Sequence, residues 1–194
     1  DEFNTRISQE EKKLNEGYEE YYKGLSQYRQ GLESYNRGYD ELKKAQREYD
    51  AALSEYNQGL EAYNQSKALY DALNGALAAG NTPQSLAVIT MIANEISSMN
   101  PGLSSVLLAY AANPDDPIVK AAAEGAVSQF GQYLDGIKQE LDAAKAMLDE
   151  GKVKLDNGWN ELNRASSRLD RAKEELDEAK RKLDEGKQEL EKAK

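Results

Sequence analysis

Carboxylates are the side chains with which this sequence could most readily perform chemistry. The 194 residues include 35 Asp and Glu but no His and no Cys. Paired carboxylates act as acid and base catalysts when an apolar environment raises the pKa of one of them. Here they fall among lysines at helical spacing, and no pair stands in an apolar setting. We therefore predict that the chain is not an enzyme and binds no cofactor.

The same residues offer no strong metal or phosphate site. The acidic turn at Asp115 and Asp116 could hold calcium, but it lacks the spaced oxygen ligands of a calcium loop, so helix capping is the favoured interpretation. The missing cysteines exclude disulfides, thiolate catalysis and the common zinc sites. The glycines are spaced by heptads and do not form a phosphate-binding loop. We predict no bound metal ion.

The charge balance excludes two classes of partner. A formal net charge of −10 argues against nucleic acid, which is bound by clustered Lys and Arg, and against direct binding to anionic lipid. No apolar run approaches the roughly 18–20 residues needed to span a bilayer. Asp1-Glu2-Phe3 is typical of a cloning remnant and Lys194 falls within a repeat. We expect a segment excised from a longer protein.

Large side chains recur every seven residues in two parts of the sequence. The first series is Leu14, Tyr21, Tyr28, Tyr35, Leu42, Tyr49, Tyr56, Tyr63, Tyr70 and Leu77. The second series is Leu134, Leu141, Leu148, Leu155, Leu162, Leu169, Leu176, Leu183 and Leu190. Three positions after most of them stands a small residue, usually Gly or Ala. Sustained heptads with charged residues between them are typical of a left-handed coiled coil.

The sequence therefore predicts an all-α fold, a long antiparallel two-helix coiled-coil hairpin with a small helical cap at the tip. Residues 1–78 form the predicted outgoing helix, residues 79–116 the cap and residues 117–194 the return helix. At 1.5 Å per residue the outgoing helix would be roughly 110 Å long. Thr82 before Pro83 and Asp116 before Pro117 are predicted helix caps.

Antiparallel pairing would place each large residue of one helix over a small residue of the other. The five glycines of the outgoing helix that follow the heptad spacing cost about 5 kcal/mol relative to Ala, which close packing must offset. One register sets Tyr49 opposite Gly158 and Tyr56 opposite Gly151, although a shift by one heptad fits equally well. Replacing Gly17, Gly24 and Gly31 with Ala should raise thermal stability unless the helices touch there.

The segment between the two helices is apolar and is the one ambiguous place. A partner-binding tip is predicted at Ile89, Ile92, Met99, Leu103, Leu107 and Tyr110. Its apolar residues exceed what a two-helix tip can easily hide, and exposed apolar patches mark interaction sites. A compact core of the cap is the favoured interpretation of these apolar residues, the partner-binding tip is the alternative, and insertion of the tip into a membrane is the third.

The two heptad series resemble a known family. The stretches YNQGLEAYNQSKALYDALNGAL, LDEGKVKLDNGWNELNRA and LDEGKQELEKAK look like the extracellular coiled-coil insertion of FtsX/MacB-type ABC-transporter permeases of Gram-positive bacteria. The resemblance covers nearly the whole chain apart from the cap. It implies a domain on the extracellular face of the cell membrane, between the first and second transmembrane helices.

The resemblance also implies a function and partners. Such a domain would relay ATP-driven motion to an extracellular protein or cell-wall component, or bind it through the tip. The cognate ATPase and the transmembrane helices lie outside this segment. The alternative is a passive stalk like those of YhgE/Pip or EsaA-type surface proteins, a secretion accessory or phage receptor. An efflux-adaptor hairpin is disfavoured because no lipoyl-like β-domain flanks the helices, and Tyr-rich flanks could pair two copies as a homodimer.

Overall fold

The computed structural model describes residues 2–193, and within this range it contains helices and connecting turns but no strand. The predicted all-α fold class is confirmed. Asp1 and Lys194, at the outer ends of the predicted helices, lie outside the described residues. Among the described helices, none is long and apolar enough to cross a membrane. In chain order the helices are α1 (Glu2–Ala78), α2 (Pro83–Glu95), α3 (Pro101–Ala112) and α4 (Pro117–Ala193).

Each helix after the first begins at a proline that follows a capping side chain. The Thr82 side chain accepts a hydrogen bond from the Ser85 N–H, and Asn100 Oδ1 accepts from the Leu103 N–H. Asp116 Oδ1 accepts from the Ile118 N–H at 2.8 Å. Proline suits the first helical position because its missing N–H would have no partner there. The predicted caps at Thr82 and Asp116 are confirmed.

The chain divides into two compact units, which we describe separately. Unit 1 comprises residues 1–49 and 151–194, and therefore the first part of α1 and the last part of α4. Unit 2 comprises residues 50–150 and contains the rest of those two helices together with α2 and α3. The predicted segments follow the helix ends, whereas the units divide within α1 and α4.

Unit 2 has a closed hydrophobic core to which all four helices contribute. Leu73 of α1, Ile89 of α2, Leu107 of α3 and Val127 of α4 are at most 1% exposed. Burying a side chain of this size contributes about 1.5–3 kcal/mol. Tyr110 is also fully buried, and its hydroxyl needs a partner because a buried polar group without one is costly.

Asn81 supplies that partner and joins two loops. The Tyr110 hydroxyl donates to Asn81 Oδ1 at 2.6 Å. The Asn81 amide donates in turn to the Pro114 carbonyl and to Asp115 Oδ1, both at 2.9 Å. The turn before α2 is thereby tied to the turn before α4, and the polar end of the core is satisfied.

Ion pairs run along α4 in unit 2. Lys138 and Lys145 pair with Asp142 and Asp149 at 2.6 and 2.8 Å, four residues along the helix in each case. Exposed pairs of this kind contribute only a few tenths of a kcal/mol each. They are too weak to explain why the helices associate.

The core of unit 2 gives a direct test of its packing. Leu107→Ala should lower the free energy of unfolding by about 2–5 kcal/mol, because this fully buried side chain would leave a cavity. Urea denaturation followed by circular dichroism measures the change. Leu108→Ala is the matched control, because its side chain is 37% exposed, and it should cost less than about 1 kcal/mol. Equal losses at the two neighbours would contradict this core.

Candidate functional site

In unit 1, leucines of α4 lie over glycines of α1. A Cβ built on Gly17 would fall 2.6 Å from Leu183 Cδ2. At Gly24 and Gly31 the corresponding distances, to Leu176 and Leu169, are 3.1 and 3.0 Å. Contacts below about 3.4 Å require the leucine methyl group to move. The segments of α1 and α4 therefore touch at all three glycines. Under this condition, replacing the glycines with Ala was not expected to raise thermal stability.

The reverse contacts place large residues of α1 over glycines of α4. Leu42 lies 2.5 Å from a Cβ built on Gly158, Tyr49 lies 3.6 Å from one on Gly151, and Leu14 lies 3.7 Å from one on Gly186. In every such pair of unit 1 the two residue numbers add up to 200. The partner in α4 moves back by seven as the residue in α1 advances by seven, which is the order of antiparallel segments.

This order corrects the predicted register. Tyr49 was placed opposite Gly158, but in the structure Tyr49 meets Gly151 and Leu42 meets Gly158. The true register is displaced by one heptad. The physical reason is that every heptad presents the same alternation of large and small residues, so the sequence rule was equally satisfied by both registers.

In unit 2, large side chains likewise lie over glycines, and one of them is a tyrosine ring. A Cβ on Gly59 would lie 3.4 Å from Leu141 Cδ2. At Gly131 it would lie 2.6 Å from Tyr70 Oη and 2.8 Å from two ring carbons. The Tyr70 ring meets Phe130 edge-on, with centroids 6.0 Å apart. A tyrosine ring thus covers bare backbone at the buried end of this seam.

Beside the seam of unit 1 lies an open groove of about 920 Å³. Glycines and alanines of both segments line it, together with Tyr28 and Tyr35. Its polar lining is Gln27, Ser34, Glu41, Glu161, Arg168 and Glu175. The charged groups that line it are therefore three carboxylates and one guanidinium.

The other flank of unit 1 is aromatic. The Tyr39 and Trp159 rings meet edge-on with centroids 5.8 Å apart, an arrangement that favours aromatic pairs. The Tyr18 hydroxyl donates to Asp184 Oδ1 at 3.3 Å. Desolvation and then this hydrogen bond raise the pKa of Tyr18.

Lysines of α4 lie near tyrosines of α1 in unit 2. The hydrogen bond to Asp142 raises the pKa of Lys138, and Tyr63 and Tyr56 act in the same direction more weakly.

The acidic turn has a structural role. Asp116 caps α4 through the N–H groups of Ile118 and Val119, and Asp115 accepts a hydrogen bond from Asn81. Among residues 2–193, no group of three or more His, Cys, Asp or Glu side chains is placed to hold a metal ion. The geometry supports capping at this turn.

The predicted partner-binding tip divides into buried and exposed residues. Ile89, Ile92, Leu103, Leu107 and Tyr110 are at most 6% exposed. As described, these five side chains belong to the core of unit 2, which is the interpretation that the sequence favoured. Met99 alone among the six lies open, at 73% exposure.

Exposed apolar residues that were not selected lie on the outer side of the same helices. Met91 of α2 is 60% exposed and Leu108 of α3 is 37% exposed. The spacing of the isoleucines in the sequence could have identified these exposed residues, because the buried Ile89, Ile92 and Ile96 fix which side of α2 faces inward. Residues four apart on the other side, starting from Met91, must then face solvent.

Two glycines of α4 allow the seam to be tested. Gly136→Ala should raise the free energy of unfolding by up to about 1 kcal/mol, because no atom lies within 4 Å of its Cβ position. Gly131→Ala should lower it by about 1–3 kcal/mol, because the Tyr70 ring occupies that space. Thermal denaturation of both variants gives the comparison. Stabilisation by both substitutions would show that Tyr70 is not seated on Gly131.

Comparison with known proteins identifies no relative: no family model matches the chain, and no characterised protein or solved structure is significantly similar to it.

Proposed function

We propose that the chain is an extracellular domain of an FtsX/MacB-type ABC-transporter permease of a Gram-positive bacterium. It would relay ATP-driven motion from the membrane to an extracellular protein or cell-wall component, or bind that partner. The proposal includes the arrangement of the helices, which is an antiparallel two-helix coiled-coil hairpin with a helical cap. The observation that carries it is the unbroken series of large-over-small contacts in unit 1, from Leu14 on Gly186 to Tyr49 on Gly151.

The outer contacts of unit 1 suit an insertion between membrane helices. Leu14 lies on Gly186 and Gly17 lies under Leu183, so the chain enters and leaves this unit at neighbouring points. A domain with adjacent entry and exit points can interrupt a loop between two consecutive membrane helices. In the permease family that the sequence resembles, this is where the coiled-coil insertion is located.

The seam also suits the transmission of force. A slide of one helix segment by a single residue would move every large side chain off its small partner at once. In unit 1 this would displace Leu162, Leu169 and Leu176 together from the glycines that they contact. Because interdigitated side chains resist such displacement collectively, a push on one segment is passed to the other.

The alternative is a passive stalk of a YhgE/Pip or EsaA-type surface protein. The same contacts would hold a spacer together, so the alternative differs in context. The coding sequence on either side of this segment distinguishes the two. A permease with four membrane helices and a neighbouring ATPase gene supports the relay, whereas an exporter-like protein with six membrane helices supports the spacer.

Cysteine labelling in cells tests both location and motion. These 194 residues contain no cysteine, and Met99 is 73% exposed, so Met99→Cys introduces one exposed thiol into this segment, and the unsubstituted full-length protein gives the background labelling. In intact cells producing the full-length protein, a membrane-impermeant maleimide should label this site. The labelling rate should change when the P-loop lysine of the cognate ATPase is replaced.

Met147→Cys provides a second exposed site in unit 2, at 69% exposure, and controls for expression and reagent access. Labelling that requires permeabilised cells would exclude the extracellular location. Labelling at rates independent of the ATPase at both sites would favour the passive stalk.

A further inference from the structure

The formal charge of the chain is concentrated in unit 2. Residues 50–150 hold 13 Asp and Glu against four Lys and no Arg, a formal charge of −9, whereas unit 1 holds 22 acidic and 21 basic residues. Between Lys67 and Lys120 there is no basic residue at all. This interval contains both α2 and α3. The part of unit 2 built from the two short helices is therefore anionic and has no cations of its own.

The two short helices carry almost no charge but expose apolar side chains. Glu95 is the only charged residue in α2 and α3. The outer side of α2 also carries the polar Gln84 and Asn94, and only its inner side packs into the core. Met91 and Leu108 on the outer side are exposed. The outer side of α2 thus has no partner within the described part of the chain.

The outer side of α2 continues into the turn that follows it. The Ile96 N–H donates to the Ile92 carbonyl at 3.0 Å, and the Asn100 N–H donates to the Ile96 carbonyl at 2.7 Å. Residues 96–99 therefore form a turn directly after α2. Met91 and Glu95, four residues apart, share one side of α2, and Met99 is exposed in the turn that follows. We call these three residues together with Leu108 the cap face.

We propose that the cap face binds a cationic amphipathic helix of a partner protein. This inference rests on the proposed function and names the chemistry of its extracellular partner. Methionine side chains are flexible and polarizable and adapt to varied apolar surfaces, so Met91 and Met99 suit the apolar side of such a helix. The negative field of unit 2 attracts its basic side and speeds its association.

Electrostatic repulsion disfavours a second copy of the chain, anionic lipid and nucleic acid as the partner of the cap face. A second copy of the chain would bring two cap faces together within two units that each carry a formal charge of −9, and like charges repel. Anionic lipid and nucleic acid would be repelled for the same reason. An amphipathic helix with lysines beside its apolar side would meet the exposed methionines and Glu95 within the negative field of unit 2.

A designed peptide tests the proposal with the complete 194-residue chain. The probe is a fluorescent peptide of Leu and Lys whose helix places the leucines on one side. Fluorescence anisotropy should show saturable binding that weakens as salt is raised. Two peptides serve as controls: a scrambled one of the same composition, which lacks an apolar side, and one with Glu in place of Lys. Both should bind at least about tenfold more weakly.

Substitutions locate the binding site. Met91→Gln combined with Met99→Gln should weaken binding by at least about tenfold, and Glu95→Lys should weaken it further at low salt. Met147→Gln is the matched control, because Met147 is equally exposed but lies on α4 away from the cap face. It should leave the affinity unchanged. Circular dichroism confirms that each variant is folded, which is expected because all these positions are exposed.

Several results would overturn the proposal. The scrambled peptide could bind equally well, Met147→Gln could weaken binding as much as the double variant, or the probe could fail to bind. A dimer abolished by Met91→Gln with Met99→Gln would make a second copy the occupant, and binding to phosphatidylcholine vesicles would make it a membrane. If the labelling rate at position 99 depends on the ATPase but no peptide binds, only this inference fails. If the peptide binds but labelling requires permeabilised cells, only the proposed function fails.

Discussion

A large side chain seated on a residue that has no Cβ is the contact on which both units depend. Glycine inside a helix costs about 1 kcal/mol relative to alanine, and a chain gains nothing from it unless another group uses the space. At Gly158 the space is filled by Leu42, and at Gly131 by the ring of Tyr70. The close approach adds dispersion contacts and buried area, which offset the cost of the glycine.

The two units use this contact to different degrees. Unit 2 adds a closed core in which Leu73, Ile89 and Leu107 are fully buried. Unit 1 has only its seam, where Leu155 and Leu162 reach 7% and 8% exposure while most other seam residues remain half-buried. Segments with few buried contacts open locally more easily than a closed core. The resistance of unit 1 to opening therefore depends on many equivalent contacts acting together.

The sequence was sufficient to predict the helices and their capping residues. It was insufficient to predict the register in which α1 and α4 pair. Thr82 and Asp116 have local signatures, because a capping side chain acts on N–H groups two or three residues away. The register has no local signature, because each heptad resembles the next. It is set in unit 2, where the core residues Leu73 and Val127 and the pair Tyr70 and Gly131 fix which residues of α1 and α4 meet. Likewise, the number of apolar residues between the long helices predicted a cluster, whereas the phase of α2 decides which of them face outward.

The phase of α2 also connects the core to the cap face. Ile89 and Ile92 point into the core that contains Leu73 of α1 and Val127 of α4, while Met91 lies on the opposite side of the same helix. A displacement of α1 or α4 within unit 2 must therefore either move α2 or open a cavity beside Ile89. Opening a cavity in a well-packed core costs several kcal/mol, so moving α2 is the cheaper response. A partner held on the cap face, as proposed, would then move with α2, and the packed core would link motion in the long helices to that partner.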